Sequence, residues 1–380
     1  MAVIKFVALG LGILIFVAFI ALILLSNRAE EQRHWGFIDE RGTVVVPIRY
    51  DDARDFSGGF AAVKRGNDWG FVNLQGMEAI SPRYQQVGDF SVSGRAWVEI
   101  DNATGYIDVT GSWVIEPKFD RAYRYSESLA IAGLSVGYQF SKIGGSTGHP
   151  IYAFGLIDQN GQWIVPPVEK EDDPQRWSTG GEFSEGLCPV QVGGDFFGYI
   201  DTTGKFVIPP VYTRAGAFRD GYAVVGLPDG GNDIINTQGE TILTIPVNSV
   251  VRGEDRYFTV YASIGDEEGA YLVNIDGTVV LGPFEEAGIF AGTRIPVKRD
   301  GKWVLLDLDG AEHGDTWDHL DSINAGFAAV RRNGRRLFAD DSKEGFIDSD
   351  GALVIPPTYN RTGPFSEGRA RVAERISERQ

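Results

Sequence analysis

Trp35-Gly36-Phe37-Ile38-Asp39, then Gly42, Val44-Val45-Val46-Pro47, Tyr50-Asp51-Asp52-Ala53, Phe56-Ser57, Gly59 and Ala61-Ala62-Val63 decide the fold, because their pattern returns along nearly the whole chain. Aligned on Gly36, the equivalents fall at Gly70, Gly105, Gly155, Gly198, Asp233, Tyr271, Val304 and Gly345, at intervals of 33 to 50 residues. A recurring period of this length marks an array of structural repeats. The most constant feature is Asp or Asn, two variable residues and Gly, from Asp39-x-x-Gly42 and Asn73-x-x-Gly76 to Asp348-x-x-Gly351, present in all nine units. The acidic or amide residue opens a type I turn, and the glycine supplies the left-handed residue that completes a hairpin bulge.

β-Branched and aromatic residues flank this turn, as in Ile157-Asp158 before it and Trp163-Ile164-Val165 after it, so both arms read as strands. Proline ends the second strand at Pro47, Pro82, Pro117, Pro166-Pro167, Pro209-Pro210 and Pro356-Pro357, where it offers no N–H to a ladder. A second turn follows, Phe183-Ser184-Glu185-Gly186 or Phe365-Ser366-Glu367-Gly368, and then a short strand such as Ala223-Val224-Val225. The unit therefore has three strands and a candidate fourth at Tyr50 to Phe56. No twelve-residue window of the repeat region carries a helical stripe. The expectation is an all-β tandem array of about nine short β-meanders. Their residue ranges are about 35–68, 69–103, 104–153, 154–196, 197–231, 232–269, 270–302, 303–343 and 344–373, between a linker at 28–34 and a polar tail at 374–380. A meander of about 35 residues cannot cover both its faces, so it must lie against a neighbour. A propeller-like arrangement meets this need; an open β-solenoid is the alternative.

On Trp35-Gly36, Trp69-Gly70 and the Ile-Asp-x-x-Gly, Ile-Pro-Pro and Phe-Ser-Glu-Gly elements, the chain resembles the WG-repeat (KWG-repeat) family over about residues 35 to 373. The resemblance implies an architecture and no particular chemistry. The tryptophan is replaced by Phe154 and Phe197 in two units, and by Thr104, Asn232, Ala270 and Glu344 in others.

Ahead of the repeats, Phe6 to Leu25 is a run of twenty uncharged residues, long enough to cross about 30 Å of hydrocarbon as a helix. Its length and the absence of a small-x-small site at Leu24-Leu25-Ser26-Asn27-Arg28 favour an uncleaved signal anchor over a cleaved signal peptide. Residues 1–27 are read as a cytoplasmic tip and transmembrane anchor. Lys5 and the terminal amine balance Arg28 and Arg33, and the short basic tail places the repeats outside the cytoplasm.

The 380 residues carry 35 Lys+Arg against 52 Asp+Glu, a net charge of −17 that excludes nucleic acid as a partner. One cysteine, Cys188, excludes an intramolecular disulfide. Three insertions interrupt the period, at Gly133–Ala153, Glu169–Glu182 and Arg331–Lys343. The first and third fall at the same point of the unit and so emerge on one edge. The third holds Arg331, Arg332, Arg335 and Arg336, a basic loop able to meet an acidic partner or lipid headgroups; a solvated loop balanced by Asp340 and Asp341 is the plainer reading. Trp177, off the repeat pattern, is an exposed-anchor candidate. Trp35, Trp69, Trp113, Trp163, Phe206 and Trp303 read as core rather than as sugar-stacking platforms.

Gly133-Leu134-Ser135-Val136-Gly137 matches the hydrolase pattern Gly-x-Ser-x-Gly, with His149 downstream, but the strand–turn–helix that such a serine needs is missing from an all-β chain. His34, His149, His313 and His319 have no paired ligand spacing. Asp307-Leu308-Asp309-Gly310 and Asp348-Ser349-Asp350-Gly351 begin like calcium loops, but position twelve is Asp318 or Tyr359 rather than Glu. No cofactor or metal is expected. The reading is a non-catalytic binding or scaffold platform of the cell envelope, its partner an unidentified protein or envelope component. A purely structural envelope protein is the alternative, and a hydrolase using Ser135 a remote third.

Overall fold

The computed structural model describes residues 33–139, 148–170, 176–193, 196–245, 250–254, 256–264, 267–332 and 342–375. The candidate anchor Phe6–Leu25 lies outside these residues. Among those described, all regular structure is β, and no helix is long and apolar enough to cross a membrane.

Each sheet has four antiparallel strands, of which the first is only two residues long in six of the nine. In the first sheet these are Asp52–Ala53, Phe60–Arg65, Asp68–Asn73 and Glu78–Tyr84. The candidate fourth strand at Tyr50 to Phe56 is thus real but two residues long, and it pairs forward with the next strand. A sheet is therefore offset from the sequence unit: it joins the last two strands of one unit to the first two of the next. Eight sheets follow this rule along residues 52–359, the third and fourth being linked by the bridging pair Phe154–Trp177. The ninth combines Arg361–Ser366 and Arg369–Arg375 with Arg33–Asp39 and Val44–Tyr50. Strand 33–39 pairs with strand 369–375 at seven positions, from Arg33 opposite Arg375 to Asp39 opposite Arg369. The expected linker and polar tail therefore each lend two residues to a strand. Each sheet is itself open, and the array is propeller-like.

The Asp-x-x-Gly turns form as read. At Asp39 the carboxylate accepts the N–H groups of Arg41 and Thr43 at 3.0 and 2.8 Å, and Gly42 sits at φ +80°. The Trp-Gly glycine has a separate cause. Opposite it, the proline-ended strand bulges: Trp69 pairs with Tyr84 but Phe71 with Ile80. A Cβ on Gly70 would lie 2.4 Å from the Ile80 carbonyl oxygen and 2.5 Å from the Pro82 nitrogen. Gly36, Gly105, Gly155, Gly198 and Gly345 meet the same obstruction. At two of the three positions without the glycine the partner strand differs, while Val304 keeps the same register jump, Trp303 pairing with Trp317 and Leu305 with His313. Asp233 pairs regularly with Thr244, and opposite Tyr271 the glycine has moved across to Gly282, at φ +118°.

Packing joins the sheets in a cycle. Nine hydrophobic clusters among the described residues each draw on two neighbouring sheets. Phe37, Val46 and Tyr50 of the ninth meet Phe56 and Val63 of the first, and Phe346 and Ile355 of the eighth meet Phe365 and Val372 of the ninth. Burying each such large side chain contributes about 1.5–3 kcal/mol. An aromatic stands six residues before the second-turn residue in most units, as Tyr50 before Phe56 and Tyr359 before Phe365, and it is buried at Tyr84, Phe119, Tyr212 and Trp317 as well.

Trp177 belongs to this series, six residues before Phe183. It is 6% exposed and packs with Phe154, Cys188 and Val190, so the exposed-anchor reading is corrected: its indole fills the contact between the third and fourth sheets. Among the repeating aromatics Trp69 is buried, Trp35, Trp113, Trp163 and Trp303 are partly so, and Phe206 departs from the core expectation at 41% exposed.

The Phe-Ser-Glu-Gly turn stitches neighbours together. Ser184 Oγ donates to the Phe218 carbonyl at 2.6 Å, and a Glu185 carboxylate oxygen accepts the Gly221 N–H at 2.9 Å. The last unit meets the first in the same way. Ser366 Oγ donates to the Phe56 carbonyl at 2.7 Å, and the two Glu367 carboxylate oxygens accept Gly58 and Gly59 N–H, both at 2.9 Å. Glu185 and Glu367 sit at φ +55° and +52°, a left-handed conformation that costs a non-glycine residue energy and that these bonds offset.

The glycine account is tested by Gly70→Ala. The methyl group must displace the Ile80–Pro82 backbone, lowering stability by about 1–3 kcal/mol in thermal or denaturant unfolding. Unchanged unfolding would contradict the close approach.

Candidate functional site

The turn residues and the segments before them converge where the first strands of neighbouring sheets lie. Arg124, in the third sheet, shows this most plainly. Its Nη2 donates to Ser57 Oγ of the first sheet at 2.7 Å and to the Phe90 carbonyl of the second at 3.0 Å, while Nη1 faces Glu182 of the fourth at 3.7 Å. One side chain touching three other sheets marks a hub. The residue before the second-turn aromatic supplies its charge: Asp55, Asp89, Arg124 and Glu182 in units one to four. Further round, the same place holds Ala217, Ile289, Ser322 and Pro364, so one side of the hub is charged and the other is not.

A cavity of about 350 Å³ opens on the charged side. Arg54, Asp89, Trp97, Glu99, Arg121 and Arg124 are among its lining residues, with Thr104, Tyr123 and Glu182. Arg54 donates to the Val87 carbonyl at 2.6 Å and lies over the Trp69 ring. Beside the cavity, Asp55 pairs with Arg371 at 2.8 Å. Burial pushes the Asp55 carboxyl above the usual carboxylate range; the Arg371 guanidinium opposes this, and the nearby Asp89 carboxylate adds to it.

The residues nominated from sequence are not brought together there. Arg331 and Arg332 do not stand in a loop: they end the strand Phe327–Arg332, and Lys343 opens the strand Lys343–Asp348. Arg331 faces Glu344 at 3.9 Å. Arg332 pairs with Asp315 and lies 4.4 Å over the Trp317 ring, so both cations are already engaged. Arg335 and Arg336 lie outside the described residues. Trp177 is buried, as described above.

Ser135 stands within the strand Ala130–Gln139, opposite Tyr152, with its N–H donated to Asp120. A nucleophile elbow needs a strand-to-helix turn, and this serine stands in a β ladder with the strand His149–Ile157. Asp307 closes its own turn by accepting Asp309 and Ala311 N–H and pairs with His313 at 2.8 Å. Among the described residues no group of three His, Cys, Asp or Glu is placed to hold a metal. Cys188 is buried, and burial pushes its thiol up to about 12.

The insertions share a face. Those at 133–153 and 331–343 fall where the second and third strands of the third and eighth sheets are joined. In the ninth sheet the strands at that place end at Arg375 and Arg33, the last and first described residues. Antiparallel alternation carries the link after Pro166-Pro167 to the same side.

A model of the WG-containing repeat matches residues 35–67, 69–102, 105–133, 154–168, 197–227 and 345–374, which are the six units whose glycine faces a proline bulge. No curated protein matches the chain. Among solved structures, a eukaryotic initiation factor superposes with a TM-score of 0.53 at 10% identity, over 85% of this chain and 95% of that one. BamB from Moraxella catarrhalis gives 0.41 at 12% identity, over 90% and 97%. At these identities the likeness concerns the fold alone.

The hub electrostatics predict a pH effect. Because the folded pKa of Asp55 is raised, its contribution to stability is fully present in acid and is lost as pH rises through that folded value. Asp89→Asn removes the like charge, moves the Asp55 titration back towards the ordinary carboxylate value of about 3.9, and shrinks that loss. Carboxyl-carbon NMR titration measures it; an unmoved Asp55 would contradict the coupling.

Proposed function

Given that the chain belongs to the WG-containing repeat family, we propose that it is a closed ring of nine sheets acting as a membrane-anchored, non-catalytic binding or scaffold platform of the cell envelope. The observation that carries the reading is the shared face: the end of the chain that leads to the candidate anchor leaves the array on the side where all three insertions open. From Leu25 to Arg33 there are few residues, and an extended chain reaches at most about 3.3–3.6 Å per residue, so a lipid-spanning Phe6–Leu25 would hold this face close to the membrane. The opposite face, made of the tight Asp-x-x-Gly and Phe-Ser-Glu-Gly turns, would point away from it. Loops mounted on a rigid scaffold are the usual means by which repeat proteins hold partners.

The non-catalytic part of the reading draws support from Ser135, which sits in a ladder with its N–H held by Asp120. The extracytoplasmic placement of the repeats is part of the proposal and rests on the charges flanking Phe6–Leu25.

Two measurements test it. A C-terminal tag on the full chain is expected to be cut by protease added to spheroplasts, and protection would overturn the outward placement. Purified from detergent-solubilised membranes, the chain is expected to retain a stoichiometric partner and to take no label from a broad serine-hydrolase probe. Labelling abolished by Ser135→Ala would replace the platform with an enzyme.

A further inference from the structure

Six side chains line the hub cavity as three cation–anion couples: Arg54 with Asp89, Arg121 with Glu99, and Arg124 with Glu182. Their closest N–O separations are 3.9, 3.7 and 3.7 Å, outside hydrogen-bond length. Some couples elsewhere close up, Arg65–Glu78 and Arg371–Asp55 each standing at 2.8 Å, while others such as Arg331–Glu344 stay as far apart as these. What holds the cavity's guanidinium groups is neutral. Arg54 rests on the Val87 carbonyl and the Trp69 ring, Arg121 on the Tyr152 ring at 5.0 Å, and Arg124 on Ser57 and the Phe90 carbonyl. These cations therefore keep their positions when their carboxylates are engaged by something else.

Both polarities are open to the cavity: the Asp89 and Glu182 side chains are 42% and 49% exposed, and those of Arg54 and Arg121 37% and 51%. A simple anion would satisfy the arginines and repel Asp89, Glu99 and Glu182. A simple cation would do the reverse, and an apolar molecule would strand all six. The volume, about 350 Å³, is of small-molecule size, and Trp97 gives the wall an apolar part.

We propose that this cavity binds a small zwitterion, a free α-amino acid or a dipeptide, with its ammonium group at Asp89 and its carboxylate at Arg124 and Arg121. The proposal rests on the binding-platform reading and gives that platform a small-molecule ligand.

Calorimetric titration of the full chain in detergent, with each L-amino acid and with alanyl-alanine, tests it. At least one zwitterion is expected to bind at one per chain, and its analogues lacking the amino or the carboxyl group to bind weaker by about tenfold or more. Asp89→Asn and Arg121→Gln, each checked by its melting temperature, are expected to weaken it by a similar factor. Binding of the dipeptide alone upholds the chemistry and assigns the source to peptides. No binding by any zwitterion, equal binding of the singly charged analogues, or unchanged affinity in both folded variants overturns the proposal. If the titrations fail while Asp89→Asn still retains the stoichiometric membrane partner, the platform stands without this site. If zwitterion binding survives in a chain that retains no partner, the platform reading is the one that fails.

Discussion

Arg361–Ser366 and Arg369–Arg375 are the last two described strands, Arg33–Asp39 and Val44–Tyr50 the first two, and each pair is half of a sheet. This follows from the offset between sequence unit and sheet, which divides every sheet between two units. In a linear array both leftovers would expose ladder edges and one apolar face each, a liability that sheets seldom carry unprotected. Here the two halves form a ninth sheet with each other. Every other interface then has the same status, since each cluster among the described residues is filled from both sides.

The contacts at the closure are made by the same turn chemistry that joins consecutive units. Ser366 and Glu367 address Phe56, Gly58 and Gly59 as Ser184 and Glu185 address Phe218 and Gly221. Arg369 and Arg371 add bonds to the Leu74 and Ala53 carbonyls. The hub exists because of this closure: Asp55 lies beside Arg371, more than three hundred residues away in sequence, and that pairing sets one edge of the charged wall.

Local chemistry was the legible part. The Asp-x-x-Gly turns, the strands beside them and the all-β class follow from turn rules and alternation. So does the position shared by the insertions at 133–153 and 331–343. The phase was not legible, because a periodic sequence can be cut anywhere and only pairing shows that strand 60–65 belongs with 68–73 rather than with 44–50. The Trp-Gly and Ile-Pro-Pro signatures looked independent, yet one is the space the other's bulge requires. Trp177 was misplaced because its unit is stretched between Pro167 and Phe183; counting back six residues from Phe183, as Tyr50 stands from Phe56, finds it. The basic residues Arg331 and Arg332 read as loop because strand ends carry no mark of their own. The hub was hidden most thoroughly, since its charges occupy one position of units far apart in sequence, and that position is Ala, Ile, Ser or Pro elsewhere.

Closure is also the claim most open to a direct measurement. His34 faces Glu374 across the pair formed by the two chain ends, and facing Cα atoms in an antiparallel ladder lie about 4.5–5.5 Å apart, within the reach of a disulfide. The native thiol, Cys188, is buried and cannot compete. In the double variant His34→Cys, Glu374→Cys, mild oxidation is expected to give an intramolecular disulfide in nearly all molecules, seen as a faster non-reducing gel band and a higher melting temperature. Free thiols after oxidation, or crosslinks between molecules only, would mean that the ends of the array do not meet.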